Sequence, residues 1–179
     1  MFNIRKETMD KVAVFSMYAL LIAGLPHAIA NADEVDGSTV TVQEITVDPL
    51  EKYRGAKELS DTELVDLLSA VGFEGKALKV AYAVAKKESN GRPLAHNGDV
   101  STGDNSYGVF QINMLGSLGE DRREKFDLKS NKDLFDPVTN AEIAFYMTNG
   151  GEDWSSWKVH PGQTNGARSE SFLKQFPKN

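Results

Sequence analysis

The sequence predicts an α+β domain that is mostly helical and carries one small β-hairpin. Three observations predict it. Ser60-Asp61-Thr62-Glu63 is a capping box, and Leu64, Val65, Leu67, Leu68 and Val71 follow at helical spacing until Gly72 stops the run. A second helical run extends from about Lys76 to Lys87, ends at Glu88, and is kept from continuing by Gly91 and Pro93. Between Asn97 and Ser106, glycines, aspartates and an asparagine cluster as turn residues, the composition of a tight hairpin.

Taken in order, residues 1–32 read as a signal peptide. Arg5, Lys6 and Lys11 precede a largely apolar run of fourteen residues, Val12 to Leu25, and small residues follow at Ala28, Ala30 and Ala32. As a helix, fourteen residues rise only about 21 Å, short of a ~30 Å hydrocarbon core. This places the chain outside the cytoplasm, in a periplasm or secreted; the alternative is a phage virion protein whose terminus is never processed. Residues 33–59 read as an acidic linker, with one short strand at Thr39–Val47. Residues 60–179 form the domain.

Within it, the second helix presents Leu78, Ala81, Tyr82 and Ala85 on one side, with Val80 and Val84 on the next. Gly108–Met114 is apolar enough to cross the floor of a cleft. Gly119–Lys129 is a charged, exposed helix. Asp136-Pro137 starts another, to about Asn149, with Val138, Ala141, Ala144, Phe145 and Thr148 inward, and Gly150-Gly151 ends it. The tail, with Phe172 and Phe176, docks as a last short helix.

Composition bounds the function. With no cysteine there is no disulfide framework, thiolate metal site or cysteine nucleophile. A net charge of -6 argues against nucleic-acid binding. The acidity is concentrated upstream: residues 33–74 hold eleven acids against three bases, and residues 75–179 thirteen against fourteen. His27, His96 and His160 lack metal-ligand spacing, and Asp99-x-Ser101-x-Gly103-Asp104 is too degenerate for a calcium loop, so neither a metal nor a cofactor is expected.

Two motifs carry chemistry. Glu88-Ser89 resembles the catalytic Glu-Ser of the lysozyme-like superfamily, the lysozymes and soluble-lytic-type transglycosylases. Tyr107-Gly108-Val109-Phe110-Gln111-Ile112-Asn113 resembles its G-[LI]-[MLF]-Q-[IV]-[ND] segment. Asp136-Pro137-Val138-Thr139-Asn140-Ala141 and Gly150-Gly151-Glu152-Asp153-Trp154-Ser155-Ser156-Trp157 follow in the family's order, so the resemblance covers roughly residues 60 to 160. It implies a lysozyme-like fold with the hairpin at the cleft, and makes 60–179 a catalytic domain.

Glycoside cleavage needs a carboxyl still protonated near neutral pH, and a glutamate provides one when apolar walls disfavour its charged form. The resemblance gives that role to Glu88. Trp154 and Trp157 are candidates for the wall; Trp154 is expected to line the site, while Trp157 stands as readily in the core. Ser89 is implied to orient substrate and acid, and Gln111 and Asn113 to face the cleft and hydrogen-bond sugar N-acetyl groups or the backbone. Tyr107, Asn140 and Tyr146 are implied on the cleft. The second carboxylate departs from the animal lysozymes, where the slot before Tyr107 holds Asp and here holds Ser106. Asp104 resembles the Asp of goose-type lysozymes, whereas transglycosylases manage without one. The family's later A-Y-N-x-G segment is missing.

The expected activity is cleavage of the β-1,4 bond between N-acetylmuramic acid and N-acetylglucosamine in peptidoglycan, as a lytic transglycosylase with a 1,6-anhydromuramic product. A hydrolytic muramidase using Asp104 is the alternative within enzymes. A wall-binding module without turnover is the alternative outside them. Peptidoglycan glycan strands are the expected partner, in secretion, conjugation or virion assembly, for a monomeric domain.

Overall fold

The structure, a computed structural model, describes residues 48–157 and 171–178. The expected signal peptide, the strand at Thr39–Val47 and His160 lie outside the described residues. The elements are α1 (Asp61–Val71), α2 (Gly75–Ser89), β1 (His96–Asn97), β2 (Ser106–Tyr107), β3 (Ile112–Asn113), α3 (Gly116–Phe126) and α4 (Pro137–Met147). Short 3-10 turns stand at Glu51–Tyr53, Val100–Thr102, Asn131–Phe135 and Ser155–Trp157.

Helix α1 starts on the predicted capping box: the Ser60 Oγ accepts the Glu63 N–H at 3.3 Å, and Glu63 Oε2 accepts the Ser60 N–H at 2.8 Å. It stops at Gly72, whose φ of 118° is left-handed, and the Phe145 ring would lie 3.1 Å from any Cβ placed there. Helix α2 is buried at every position from Ala81 to Lys86, so its second half is central rather than one-faced. It runs through Glu88 to Ser89, and ends where Asn90 takes a left-handed conformation with φ 58°.

The hairpin has a third strand. β1 pairs antiparallel with β2 (His96 opposite Tyr107), and β2 with β3 (Tyr107 opposite Ile112). The apolar run Gly108–Met114 therefore reverses on itself instead of crossing in one line. The Gln111 N–H donates to the Gly108 carbonyl at 3.1 Å, and Gln111 itself sits at φ 49°. The turn tucks Val109 and Phe110 into the core, and Gly108 approaches the 3-10 turn before α4 so closely that a Cβ would fall 2.2 Å from the Leu134 carbonyl oxygen.

Helix α3 begins three residues earlier than predicted and is charged and exposed, with only Gly119 buried. Helix α4 is capped by Asp136, whose Oδ1 accepts the Thr139 N–H at 2.8 Å, with Pro137 at its first position. Val138, Ala141, Ala144 and Thr148 face inward as predicted, with Phe145 half-buried. The helix ends at Met147, ahead of left-handed Asn149 and Gly150.

The domain reaches further upstream than residue 60. Residues 48–59, expected as linker, lie on it: Tyr53 is buried in the core, and the Gly55 N–H donates to Asp136 Oδ2 at 2.6 Å. At the other end Phe176 sets its ring edge-on to Tyr82, 5.3 Å between centroids.

Candidate active site

An open cleft of about 510 Å³ is bounded by the end of α2, the loop between β1 and β2, β3, α3 and the segment after α4. That is room for a sugar-sized ligand. Lys87, Glu88, Asp104, Gln111, Asn113, Arg122 and Trp157 are among its lining residues.

Glu88 stands in the last turn of α2, held there by a rigid, buried helix. Its side chain is 23% exposed, and Oε1 lies 2.5 Å from Lys87 Nζ. Ser89 turns the other way. Its hydroxyl donates to the Val109 carbonyl at 2.7 Å and accepts the Arg92 N–H at 3.1 Å. It fastens the end of α2 to the turn after β2 and is not among the residues that line the cleft.

Asp104 lines the same cleft as Glu88, and both of its oxygens are engaged. Oδ2 accepts the Asn97 amide at 2.6 Å and Oδ1 accepts the Ser106 hydroxyl. The two predicted amides also line it. Gln111 Nε2 donates to the carbonyls of Ala95 (3.1 Å) and Gly108 (3.0 Å). Asn113 Nδ2 donates to the Gly103 carbonyl at 3.0 Å, while its Oδ1 accepts the Leu115 N–H at 2.9 Å. Gln111 thus braces the segments flanking β1 and β2 by its amide nitrogen, and Asn113 engages both ends of its amide with the loops beside the cleft.

Four other predicted residues lie elsewhere. Asn140 is fully buried and clamps the fold: Nδ2 donates to the carbonyls of Tyr107 and Leu134, each at 3.0 Å, and Oδ1 accepts the Phe110 N–H at 2.8 Å. Buried amides need such partners, and here the backbone supplies them all. Tyr107 packs its ring against His96 and Phe135, 4.4 and 5.4 Å between centroids. Tyr146 is exposed, beside Phe126 and beneath the Lys125 ammonium. Trp154 is core: it stacks on Phe73 at 5.9 Å and satisfies its indole N–H on the Gly151 carbonyl. The wall of the cleft is Trp157, three residues on, with its N–H donated to the Phe110 carbonyl at 2.7 Å.

Lys87, Arg122 and Met147 also line the cleft and are not among the predicted site residues. Helical phase explains the omission of Arg122, because Arg122, Arg123 and Lys125 all sit on a short charged helix whose inward face has no apolar mark. Burial lowers the Arg122 guanidinium from its ordinary value. Among the described residues, no three His, Asp or Glu side chains are grouped to hold a metal ion.

No curated protein and no solved structure matches the chain. A family model described as a lysozyme like domain matches residues 65–159, a span that holds Glu88, the whole β-sheet, α3, α4 and both tryptophans. More than half of the 179 residues are matched, and the chain belongs to the lysozyme-like domain family.

Proposed function

We infer from membership of the lysozyme-like domain family that the activity concerns peptidoglycan. We propose that the chain cleaves the β-1,4 bond between N-acetylmuramic acid and N-acetylglucosamine as a lytic transglycosylase, with Glu88 as its acid and base. The observation that carries this reading is the Glu88 carboxyl at a helix end in an open cleft beside Trp157, Gln111 and Asn113, while the second cleft carboxylate, Asp104, is held by Asn97 and Ser106.

In this mechanism Glu88 first gives its proton to the glycosidic oxygen, and the bond from that oxygen to the muramic C1 breaks. The carboxylate then takes the proton of the muramic C6 hydroxyl, whose oxygen adds to C1 and closes the 1,6-anhydro ring. No water is consumed. The Lys87 ammonium stands 2.5 Å from Glu88 Oε1, beside the carboxyl that gives and takes the proton. The substrate lies outside the cytoplasmic membrane, in keeping with the signal-peptide reading of residues 1–32. Ser89 and Asn140 act in this scheme as positioning residues, holding α2 and the turn at Phe110.

A second reading is a hydrolytic muramidase, and the presence of Asp104 in the same cleft favours it. Against it, both Asp104 oxygens already brace the hairpin.

The test is digestion of purified peptidoglycan by the full chain, with mass spectrometry of the products. Anhydro ends support the transglycosylase; reducing ends, heavier by one water, replace it with the muramidase. A folded Glu88→Gln should lose activity by about 10²–10⁴-fold. No product from the unsubstituted chain would leave only a binding module.

A further inference from the structure

Four charged side chains line the cleft: Lys87, Glu88, Asp104 and Arg122. Lys87 and Glu88 are paired with each other, and Asp104 accepts from Asn97 and Ser106. Arg122 is different. One Nη donates to the Asn113 carbonyl, and among the described residues no carboxylate lies within ion-pairing distance of it. A guanidinium has five N–H donors in a planar fork. Arg122 is half-buried, so it has given up hydration without gaining a counter-charge. Its anchor belongs to the same place: Asn113, whose carbonyl holds it, also lines the cleft.

We propose that Arg122 is a specificity residue that pairs with a carboxylate of the bound glycan, so that the cleft selects muramic-acid strands over neutral N-acetylglucosamine polymers. The inference rests on the peptidoglycan reading above and deepens it. The chemistry is that of a planar fork meeting a carboxylate, for which arginine is better suited than lysine. Peptidoglycan offers that group from two sources. Muramic acid without a peptide carries a free lactyl carboxylate; muramic acid with a stem peptide has that group amidated and carries the peptide's carboxylates instead. An N-acetylglucosamine polymer has neither.

Three disaccharide probes separate these cases. They are N,N′-diacetylchitobiose, N-acetylglucosaminyl-muramic acid, and the latter with its stem peptide. The two muramic probes lack the muramic-to-glucosamine bond, so binding is measured with Glu88 and Lys87 unaltered. Calorimetric titration of the full chain should show Arg122→Met losing about 10- to 100-fold in affinity for a carboxylate-bearing probe, the range expected for one charge-assisted bond. Chitobiose should stay within about twofold, which also reports an intact cleft. Loss confined to the lactyl probe identifies the lactyl group; loss confined to the peptide probe identifies the stem; loss on both supports either carboxylate being taken.

Arg122→Lys keeps the charge and should keep part of the preference for anionic probes, which covers the case of a poorly folded Met variant. An unchanged ratio of anionic to neutral binding in both variants overturns the role of Arg122. Failure of the unsubstituted chain to bind any muramic probe overturns the peptidoglycan reading itself, and Arg122 with it.

Discussion

Trp157 donates its indole N–H to the carbonyl of Phe110 across 2.7 Å, joining the turn after α4 to the turn between β2 and β3. Phe110 is also the residue whose N–H Asn140 accepts. One peptide segment thus receives both its main polar partners from the second half of the domain. The cleft wall exists because of that convergence.

The two tryptophans should separate by experiment. Trp154→Phe shrinks a core ring and should cost stability, with activity per folded molecule unchanged. Trp157→Phe leaves the Phe110 carbonyl without its donor, a loss of roughly 1–3 kcal/mol, and also thins the wall beside Glu88. It should lower activity beyond any change in the folded fraction. Thermal melts and peptidoglycan turnover, both taken below the lower melting temperature, check this; the reverse pattern would restore Trp154 to the site.

Asn140→Ala should behave as a folding mutation. It strands the Phe110 N–H and the carbonyls of Tyr107 and Leu134, at about 1–3 kcal/mol for each buried group left unsatisfied. Asn140→Asp should fare no better, since a carboxylate can accept from Phe110 but cannot donate to two carbonyls. Denaturant midpoints measure the loss. A stable Asn140→Ala chain that is nevertheless inactive would return Asn140 to substrate binding.

Asp104→Asn distinguishes the enzymatic readings. On the transglycosylase reading Asp104 braces the hairpin, so activity should fall by less than about tenfold and anhydro ends should persist. On the muramidase reading the loss should reach about 10²-fold or more, the scale of a lost catalytic carboxylate. Product mass and initial rate decide together.

Alkaline stability should depend on Tyr82. Burial, and then the Asp61 carboxylate beside it, push the phenol up to about 12. An unfolded tyrosine ionises near ~10, so the unfolded chain sheds this proton first as pH rises. The stabilisation is complete below about pH 10 and is lost as pH climbs through about 12. Tyr82→Phe should remove that part of the slope. Denaturant midpoints across this range, with ultraviolet titration of the phenolate, test it; an identical slope in Tyr82→Phe assigns the effect to another group.

Much of the architecture was readable because its determinants are local. The Ser60–Glu63 box and the Asp136–Thr139 cap each close within three residues, so their hydrogen bonds follow from neighbouring side chains alone. The same holds for the helical spacing of Leu64, Leu67 and Leu68, all buried as the pattern demands. Placing Glu88 at the end of α2 needed only the stop signals at Gly91 and Pro93. The third strand was not readable, since it depends on Gln111 taking a left-handed backbone conformation that residues other than glycine seldom adopt.

The order of elements, the caps, and the carboxyl at a helix end before an apolar Gly-containing run are properties of short stretches, and the residues alone determine them. Which side chains share the cleft is a property of pairs far apart in the chain. Asn140 meets Phe110 across 30 positions and Trp157 meets it across 47, so neither partnership leaves a periodic mark. Trp154 and Trp157 share one residue type and similar burial, and packing alone separates them: Trp154 stacks on Phe73, while Trp157 lines the cleft and donates to Phe110. Arg122 enters the cleft because a backbone carbonyl of β3 holds it there, a contact set by how α3 packs on the sheet. Long-range packing decides these matters because a buried donor takes whatever acceptor the folded chain brings within reach.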